Sequence, residues 1–347
     1  MSNTFDCLTE NTGLLDHWYA VGLSKEINEK PLSVELLNSR YVIWRDRKGS
    51  LVAANELCPH RQMPLTEGHI DEGCLRCPYH GWLFGERGEC KEIPSASPDL
   101  PIPSKAHLNT FNTIEKYGLV WLSPGEPKKP LFEIEQDNDS SFRRINTEIQ
   151  SWEVAATRMV DNFLDTTHFP FVHIGTFGSV QEKESPPIEL KELDEYFFGY
   201  EYDVLAANPG EAKSVSGSEE EVVSRFMTTG FNLPFNVRST IAYESGLQHI
   251  ILLLSTPIDE INSYFTFVVW RNDDFSIPEE EIISFDRAIG EEDRVMLEQL
   301  SGSMPLGQTD LANVKADKAS VEWKRPVSYT HLRAHETPEH RVCRLLL

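Results

Sequence analysis

The sequence has no long hydrophobic run and no surplus of positive charge. Its longest apolar stretch is Ile250–Leu254, whereas a helix that spans a bilayer needs about 20 apolar residues. The formal net charge of −23 makes nucleic acid and anionic membranes poor partners. The first residues, MSNTFDCLTE, have neither the basic start nor the apolar core of a secretory signal. We therefore expect a cytoplasmic protein that binds neither nucleic acid nor membrane.

Cysteine is also scarce, and the sequence contains no nicotinamide fingerprint. The 347 residues include six cysteines, which show no disulfide framework and fit a reducing compartment. No G-x-G-x-x-G motif and no obvious flavin motif occurs. Electrons from NAD(P)H are therefore expected to reach this chain only through a separate reductase.

Two of the cysteines form short mixed pairs with histidine. Cys58-Pro-His60 is followed, after sixteen intervening residues, by Cys77-Pro-Tyr-His80. In a Rieske 2Fe–2S centre, one iron has two Cys ligands and the other has two His ligands. A structural zinc site is the alternative, but zinc fingers pair Cys with Cys and His with His. The pattern predicts that Cys58, His60, Cys77 and His80 bind a 2Fe–2S cluster.

A second group of candidate metal ligands lies in DNFLDTTHFPFVH, residues 161–173. Asp165 and His168 are three residues apart and are predicted to share a helix face. Pro170 cannot continue that helix, so His173 is expected from the turn beyond it. Two neutral imidazoles and one carboxylate form the facial triad that holds Fe(II) and leaves positions open for O₂.

A late helical pattern from about residue 279 to 300 offers the carboxylate. At 100° per residue, Asp293 falls on an apolar stripe with Ile289, Met296, Leu297 and Leu300. A carboxylate on such a stripe needs a partner or a metal. Glu291 points away from the stripe and Glu292 lies on its edge, so Asp293 is the predicted ligand. Asp317 is the alternative.

The two patterns together resemble the Rieske-type mononuclear iron oxygenases, and the vanillate and dicamba O-demethylases look similar. CPHRQMPLTEGHI, CPYHGWLFGERGEC and the Asn-x-x-Asp-x-x-His-x₄-His spacing carry the resemblance, which runs from about residue 14 to about 326. It implies a terminal oxygenase with a mononuclear Fe(II), supplied with electrons by a ferredoxin or flavin reductase. Such an enzyme would use O₂ to hydroxylate or O-demethylate an aromatic or alicyclic small molecule, for example in the breakdown of aromatic compounds.

The resemblance also implies an assembly. In that family the subunits form a head-to-tail trimer, in which the cluster of one subunit meets the iron of its neighbour. By motif position, Asp165 is the carboxylate between His80 and His168, although a simple helix-end ion pair is the alternative. Asn162 lies one turn earlier and is implied to lie near the iron, with capping or packing as the alternative.

The expected fold class is α+β. We expect an N-terminal extension at residues 1–16, an antiparallel β Rieske domain at 17–125 and a linker at 126–142. A helix-grip catalytic domain, in which a curved antiparallel sheet surrounds a long helix, is expected at 143–326. Residues 327–347 break the patterning and resemble a translated sequencing adapter, so they are interpreted as a non-native tail whose histidines are not ligands.

The substrate is the weakest inference from the sequence. Phe231, Asn232, Phe235, Asn236 and His249 are candidate cavity residues by location only, and each fits a core or loop role equally well. The substrate itself and the choice between mono- and dioxygenation stay open. Two other functions also stay open: a Rieske electron carrier with a non-catalytic binding domain, and a steroid- or pigment-type Rieske oxygenase.

Overall fold

The computed structural model describes residues 12–28, 30–97, 99–178, 183–185, 187–273, 275–306 and 311–329. Residues 1–11 of the expected extension and residues 330–347 of the expected tail lie outside this part of the chain. No helix in the described part is long and apolar enough to cross a bilayer.

Short strands build the N-terminal part of the chain. They are β1 (Tyr19–Leu23), β2 (Leu32–Leu36), β3 (Ser39–Arg45), β4 (Leu51–Asn55), β5 (His69–Asp71), β6 (Cys74–Arg76), β7 (Leu83–Phe84), β8 (Cys90–Glu92), β9 (Thr110–Lys116) and β10 (Leu119–Ser123). One antiparallel sheet has the order β1-β10-β9-β4-β3-β2, and a smaller one has the order β5-β6-β7-β8. The apolar run at residues 117–122 predicts a strand, but β10 begins only at Leu119, because Tyr117 and Gly118 turn the chain with φ of 58° and 72°.

The C-terminal part wraps one larger antiparallel sheet around helices. Its strands are β11 (Arg143–Asn146), β12 (Gln150–Trp152), β13 (Lys191–Glu192), β14 (Phe198–Ala207), β15 (Val222–Asn232), β16 (Asn236–Tyr243), β17 (Gln248–Pro257) and β18 (Ser263–Arg271). The helices are α1 (Ala156–Phe163), α2 (Phe169–Val172), α3 (Gly210–Ser216), α4 (Glu279–Leu297) and α5 (Lys318–Tyr329). The sheet order is β11-β18-β17-β16-β15-β14-β13, with β12 also paired to β18. The predicted α+β class is confirmed.

The central strands of the large sheet are buried on both faces. Along β17, Ile251 and Leu253 face a cavity beneath α4. The alternate residues of β17, at positions 250, 252 and 254, pack with Trp121 and Phe132 on the other side. Because side chains alternate along a strand, one run of apolar residues serves both faces. The N-terminal domain therefore packs against the outside of the cavity wall.

The expected linker is part of that packing. Leu131, Phe132 and Ile134 are buried. The Tyr117 hydroxyl donates to the Phe132 carbonyl at 2.9 Å and accepts from the Ile134 amide at 2.8 Å. Residues 126–142 therefore connect the two parts through a fixed contact and not as a free tether.

Both ends of the described chain are packed. Leu14, in the expected extension, is fully buried, and its carbonyl accepts a hydrogen bond of 2.7 Å from the Tyr19 hydroxyl. At the other end, Val327 is 2% exposed and packs in the same core cluster as Trp323. α5 therefore continues past the expected tail boundary at residue 327 to Tyr329, and the interpretation of the tail as non-native stays a prediction.

Candidate metal centres

The two Cys–His loops meet at one end of the N-terminal domain. Cys58 and Cys77 are buried, whereas His60 is partly exposed and His80 is exposed. The two imidazole rings lie 4.4 Å apart between centroids. Gly81 closes the second loop with φ of 72°, and its amide donates to the Cys77 carbonyl at 3.1 Å. The four predicted ligands are thus gathered, with thiols inward and imidazoles toward the surface.

The donor set fits a 2Fe–2S cluster. Nδ1 of His60 is buried and has no hydrogen-bond partner among the described residues, as expected of an atom reserved for a metal. Burial raises the pKa of the Cys58 thiol to about 11, so its thiolate needs an adjacent cation such as iron. Trp82 stacks on the His60 ring at 4.6 Å with an interplanar angle of 4° and holds its orientation.

His168, His173 and Asp293 converge in the C-terminal domain. Nε2 of His168 lies 3.1 Å from Nε2 of His173. Oδ1 of Asp293 lies 3.5 Å from the first of these nitrogens and 3.4 Å from the second. Three donors at right angles and about 2.1 Å from one ion would lie about 3 Å apart. The spacing therefore fits three facial positions around a single divalent metal.

The local backbone differs from the helix expected at this site. α1 ends at Phe163, so Asp165 and His168 do not share a helix face. Instead Oδ1 of Asp165 accepts the Thr167 amide at 3.0 Å, which forms a tight Asx turn. Pro170 lies in the first turn of α2, where a missing N–H costs nothing. His173 follows the last residue of α2, so it does arrive from the turn beyond.

Each histidine of the triad is held from behind by a carboxylate. Nδ1 of His168 lies 2.9 Å from Oδ2 of Asp165, and Nδ1 of His173 lies 2.9 Å from Oε2 of Glu292. Glu292 is itself held by the Gly175 amide at 3.0 Å. When Nδ1–H donates to a carboxylate, Nε2 carries the lone pair that a metal needs. Both Nε2 atoms therefore point toward Asp293.

The carboxylates Asp165 and Asp293 have distinct local partners. Burial pushes the pKa of Asp165 upward, but hydrogen bonds from His168 and Thr167 outweigh it, and the pKa is lowered. Asp165 is therefore ionised and able to bind a second donor. The buried amide Nδ2 of Asn162 donates to Oδ1 of Asp293 at 2.9 Å. Asn162 thus fixes the carboxylate of the triad, and the expectation that it lies near the metal site agrees with its position.

The α4 stripe places the other acidic candidates away from the triad. Asp293 is 5% exposed, whereas Glu291 points outward and pairs with Arg294 at 2.5 Å. Leu300 is exposed because α4 ends at Leu297, so the expected stripe is one turn too long. Asp317 accepts the Val314 amide at 2.6 Å and caps a short turn. It is not part of the triad.

A cavity of about 120 Å³ opens beside the triad. Inward-facing residues of β15–β18 and α4 make most of its wall, which is largely apolar. These residues include Met227, Ile241, Ile251, Leu253, Phe265 and Ile289. Polar groups enter the wall at Arg225, His249 and Asp286.

Of the predicted substrate residues, only His249 lines this cavity. Phe231 continues the inner face of β15 but packs in the core beyond the cavity. Asn232 lies on the opposite face and donates to the Tyr196 carbonyl at 2.9 Å. Asn236 pairs with Leu254 and, like that residue, faces away from the cavity, because the cavity residues of β16 and β17 are the odd-numbered ones. Phe235 is packed in the core. Strand alternation turns Asn232 and Asn236 away from the cavity, and Phe231 and Phe235 pack in the core beyond it.

Several residues around the two sites were not anticipated. Trp82 follows His80 by two residues, so an aromatic beside the ligand motif was the available signal. Arg225 alternates with Val223 and Met227 in a strand pattern, which places a charge on the apolar face. The partnership of Glu292 with His173 had no signal, because it joins positions 119 residues apart.

Two family profiles cover most of the chain. The profile of the Rieske [2Fe-2S] domain matches residues 17–113. The profile of the vanillate O-demethylase oxygenase C-terminal domain matches residues 152–332, which is just over half of the chain. Each match contains one of the two ligand sets.

Named relatives and solved structures agree with these profiles. Methylxanthine N1-demethylase NdmA of Pseudomonas putida is 29% identical over 302 residues, covering 85% of this chain and 81% of the relative. The structure of NdmA from Pseudomonas putida CBB5 with caffeine has a TM-score of 0.80 at 26% identity, over 92% of each chain. Dicamba monooxygenase bound to 3,6-dichlorosalicylic acid has a TM-score of 0.74 at 23% identity, over 93% of this chain and 99% of that one, which shows the shared fold.

Proposed function

The chain belongs to the Rieske-type oxygenases with a vanillate O-demethylase C-terminal domain. From that membership we propose which metal group each set of ligands binds. Cys58, His60, Cys77 and His80 hold the 2Fe–2S cluster. A mononuclear Fe(II) binds to His168, His173 and Asp293. When bound, this iron supplies the site of O₂ activation, and the cluster supplies it with single electrons from a separate ferredoxin or flavin reductase.

The convergence of the triad on the cavity carries this proposal. A Rieske protein that only transferred electrons would need no second set of ligands, yet three donors lie 3.1 to 3.5 Å apart there. Asp165 and Glu292 orient the two imidazoles, and Asn162 orients the Asp293 carboxylate. The apolar wall excludes water from a substrate placed against the triad. The chain therefore supplies oriented ligands and a cavity from which water is excluded.

The size of the cavity favours a small substrate. Its volume is about 120 Å³, close to the roughly 150 Å³ of an engineered protein cavity that accepts benzene. A single ring fits this volume better than a tetrapyrrole or a steroid. We propose hydroxylation or O-demethylation of a one-ring aromatic or alicyclic compound, in a reducing compartment such as the cytoplasm, since the described cysteines are free.

The positions of His80 and Asp165 support an assembly of several copies. His80 is exposed, and the Asp165 side chain is 23% exposed although it holds His168. A neighbouring subunit could therefore bring the imidazole of its own His80 to the Asp165 carboxylate. We propose a homotrimer in which Asp165 connects the two metal sites across the interface.

Iron analysis and turnover test the proposed function. The purified protein should contain about three irons per chain, two in the cluster and one at the triad. With a surrogate reductase and NADH, a panel of one-ring methoxy and methyl compounds should show O₂ uptake matched by a hydroxylated or demethylated product. About two irons per chain with no substrate-dependent O₂ uptake would instead support an electron carrier.

A further inference from the structure

A buried guanidinium lines the cavity without a carboxylate partner. Arg225, on the inner face of β15, is 3% exposed. Its Nε and Nη2 atoms are buried and have no hydrogen-bond partner among the described residues. The rings of Phe177 and Tyr243 lie 5.5 and 5.6 Å from the guanidinium carbon and offset part of its desolvation. Buried cations normally pair with an anion, and none of the residues that the structure describes supplies one at that point.

The neighbouring charged groups are already engaged. Asp286 lies 3.1 Å from Nε2 of His249, and Nη1 of Arg271 lies 3.3 Å from Nδ1 of the same ring. Because a guanidinium can only donate, Nδ1 of His249 accepts and Nε2–H donates to Asp286. His249 is therefore neutral, and its tautomer is fixed by Arg271. Asp273 pairs with Arg271 at 2.7 Å.

The carboxylates near Arg225 have other partners. Asp273 also binds Arg143 at 2.5 Å, so one carboxylate serves two guanidiniums. Asp286 contacts His249, and Arg225 is left with no carboxylate partner among the described residues. The whole chain carries a formal charge of −23, which makes a buried positive site a local feature and not a general one.

Arg225 and the triad line the same cavity, and the Phe177 ring lies 5.5 Å from the Arg225 guanidinium carbon and 4.9 Å from the His173 ring. Asp286 precedes Asp293 by seven residues on the same helix, and both line the cavity. At 1.5 Å per residue the two carboxylates are separated by about 10 Å along the helix axis. A substrate between them would present one end to the metal ligands and the other to Arg225. A ring with an acidic substituent has that length.

We propose that the cavity selects small organic acids and that Arg225 is the residue that recognises their carboxylate. The inference rests on the proposed function only in taking this cavity as the substrate site. Guanidinium and carboxylate match as a charge-assisted pair, and the pair would neutralise the uncompensated cation. Neutral ring compounds of the same shape would leave that cation unpaired and would bind more weakly.

Matched pairs of acids and amides test the substrate class. The probes are benzoate, 4-methoxybenzoate, phenylacetate and cyclohexanecarboxylate, each with its primary amide. Binding to the iron-loaded protein is measured by calorimetry without a reductase, so the readout does not require turnover. We expect at least one acid to bind about tenfold or more tightly than its amide. If every acid binds no more tightly than its amide, the proposal is wrong.

Arg225→Met and Arg225→Gln test the residue. Both should abolish the acid preference and leave iron content unchanged. Both should also raise the melting temperature of the ligand-free protein, because an uncompensated buried charge is gone. A merely structural Arg225 predicts the opposite shift, so loss of acid binding with a lower melting temperature would overturn the proposal. The control is Arg287→Met, which removes a guanidinium that pairs with Glu280 on the outside of α4.

Turnover separates the two proposals. Acid binding that depends on Arg225, without O₂-dependent oxidation of any bound compound, would reject the oxygenase function and keep this inference. Oxidation of neutral ring compounds with no acid preference would support the oxygenase function and reject this inference.

Discussion

Single residues around the triad divide into the proposed metal ligands and the groups that orient them. Asp293 is buried on α4, and its carboxylate accepts a hydrogen bond from the Asn162 amide. His168 and His173 each keep one nitrogen for a carboxylate and turn the other toward Asp293. This arrangement leads to separate predictions for the ligand carboxylate and for a carboxylate behind it.

Asp293→Ala should empty the mononuclear site and leave the Rieske cluster intact. The variant loses one of three ligands in a site whose histidines alone hold Fe(II) weakly. Iron content should fall from about three to about two per chain, with an unchanged cluster signal in electron paramagnetic resonance. Glu291→Ala, on the exposed side of the same helix turn, should keep full iron. If Asp317→Ala empties the site instead, the ligand has been assigned to the wrong carboxylate.

Glu292→Gln should weaken iron binding without removing a ligand. The carboxylate accepts from His173 Nδ1 and is fixed by the Gly175 amide and the Thr176 hydroxyl. Loss of such a partner typically costs about 10- to 100-fold in metal affinity. Competition with a chromogenic Fe(II) chelator measures this, with Glu291→Gln as the matched control. Equal affinities in the two variants would show that Glu292 does not position His173.

At the scale of elements, α5 closes the core from the C-terminal side. Trp323 donates its indole N–H to the Pro234 carbonyl at 2.8 Å, and Val327 is buried one turn later. The helix therefore supports the β15–β16 hairpin from outside the cavity. Its role is stability, and the next prediction tests it.

Val327→Ala should lower the free energy of unfolding by about 2 kcal/mol, from lost burial and the void left behind. Val295→Ala removes the same atoms from an exposed position on α4, where the side chain is 53% exposed. It should change stability by less than about 0.5 kcal/mol. Chemical denaturation of both variants gives the comparison. Equal effects would mean that α5 does not pack as described.

Elements were predictable from the sequence where local pattern and tertiary packing agree. The run Leu51–Asn55 predicts β4, and the helical pattern from about residue 279 predicts the start of α4, whose periodicity reflects one buried face. Apolar residues recur at helical spacing from Trp152 onward, but α1 begins only at Ala156, since Trp152 pairs with Ser263 in the sheet. Periodicity cannot reveal such pairing between distant residues.

The candidate metal ligands could be predicted from their short spacings in the sequence. The roles of Glu292 and Arg225 could not, because they depend on how α4 crosses the sheet.

At the scale of the whole molecule, Asp165 lies between the His168 imidazole of the triad and the protein surface. Its carboxylate is ionised, holds His168 and is partly open to solvent. Asp165→Asn keeps the shape and removes the charge. We expect both metals to remain, the cluster to be reduced normally, and its oxidation in a single turnover with substrate and O₂ to slow by about 10- to 100-fold.

Rapid mixing of the pre-reduced enzyme with O₂ measures that rate. Asp203→Asn, an exposed aspartate on β14, is the matched control and should behave as wild type. A wild-type rate in Asp165→Asn with both sites full would exclude the bridge. A fully active monomer in light scattering would exclude the trimer.

The two-sided burial of β17 bears on how this enzyme can evolve. Odd-numbered residues such as Ile251 and Leu253 meet whatever occupies the cavity. Even-numbered residues such as Leu252 meet the domain that carries the electron-transfer loops. Selection for a new substrate can therefore act on every second residue of β17 without changing the surface on which the N-terminal domain packs. Insertion of one residue would exchange the two sets, so this strand should tolerate substitution far better than a change in length.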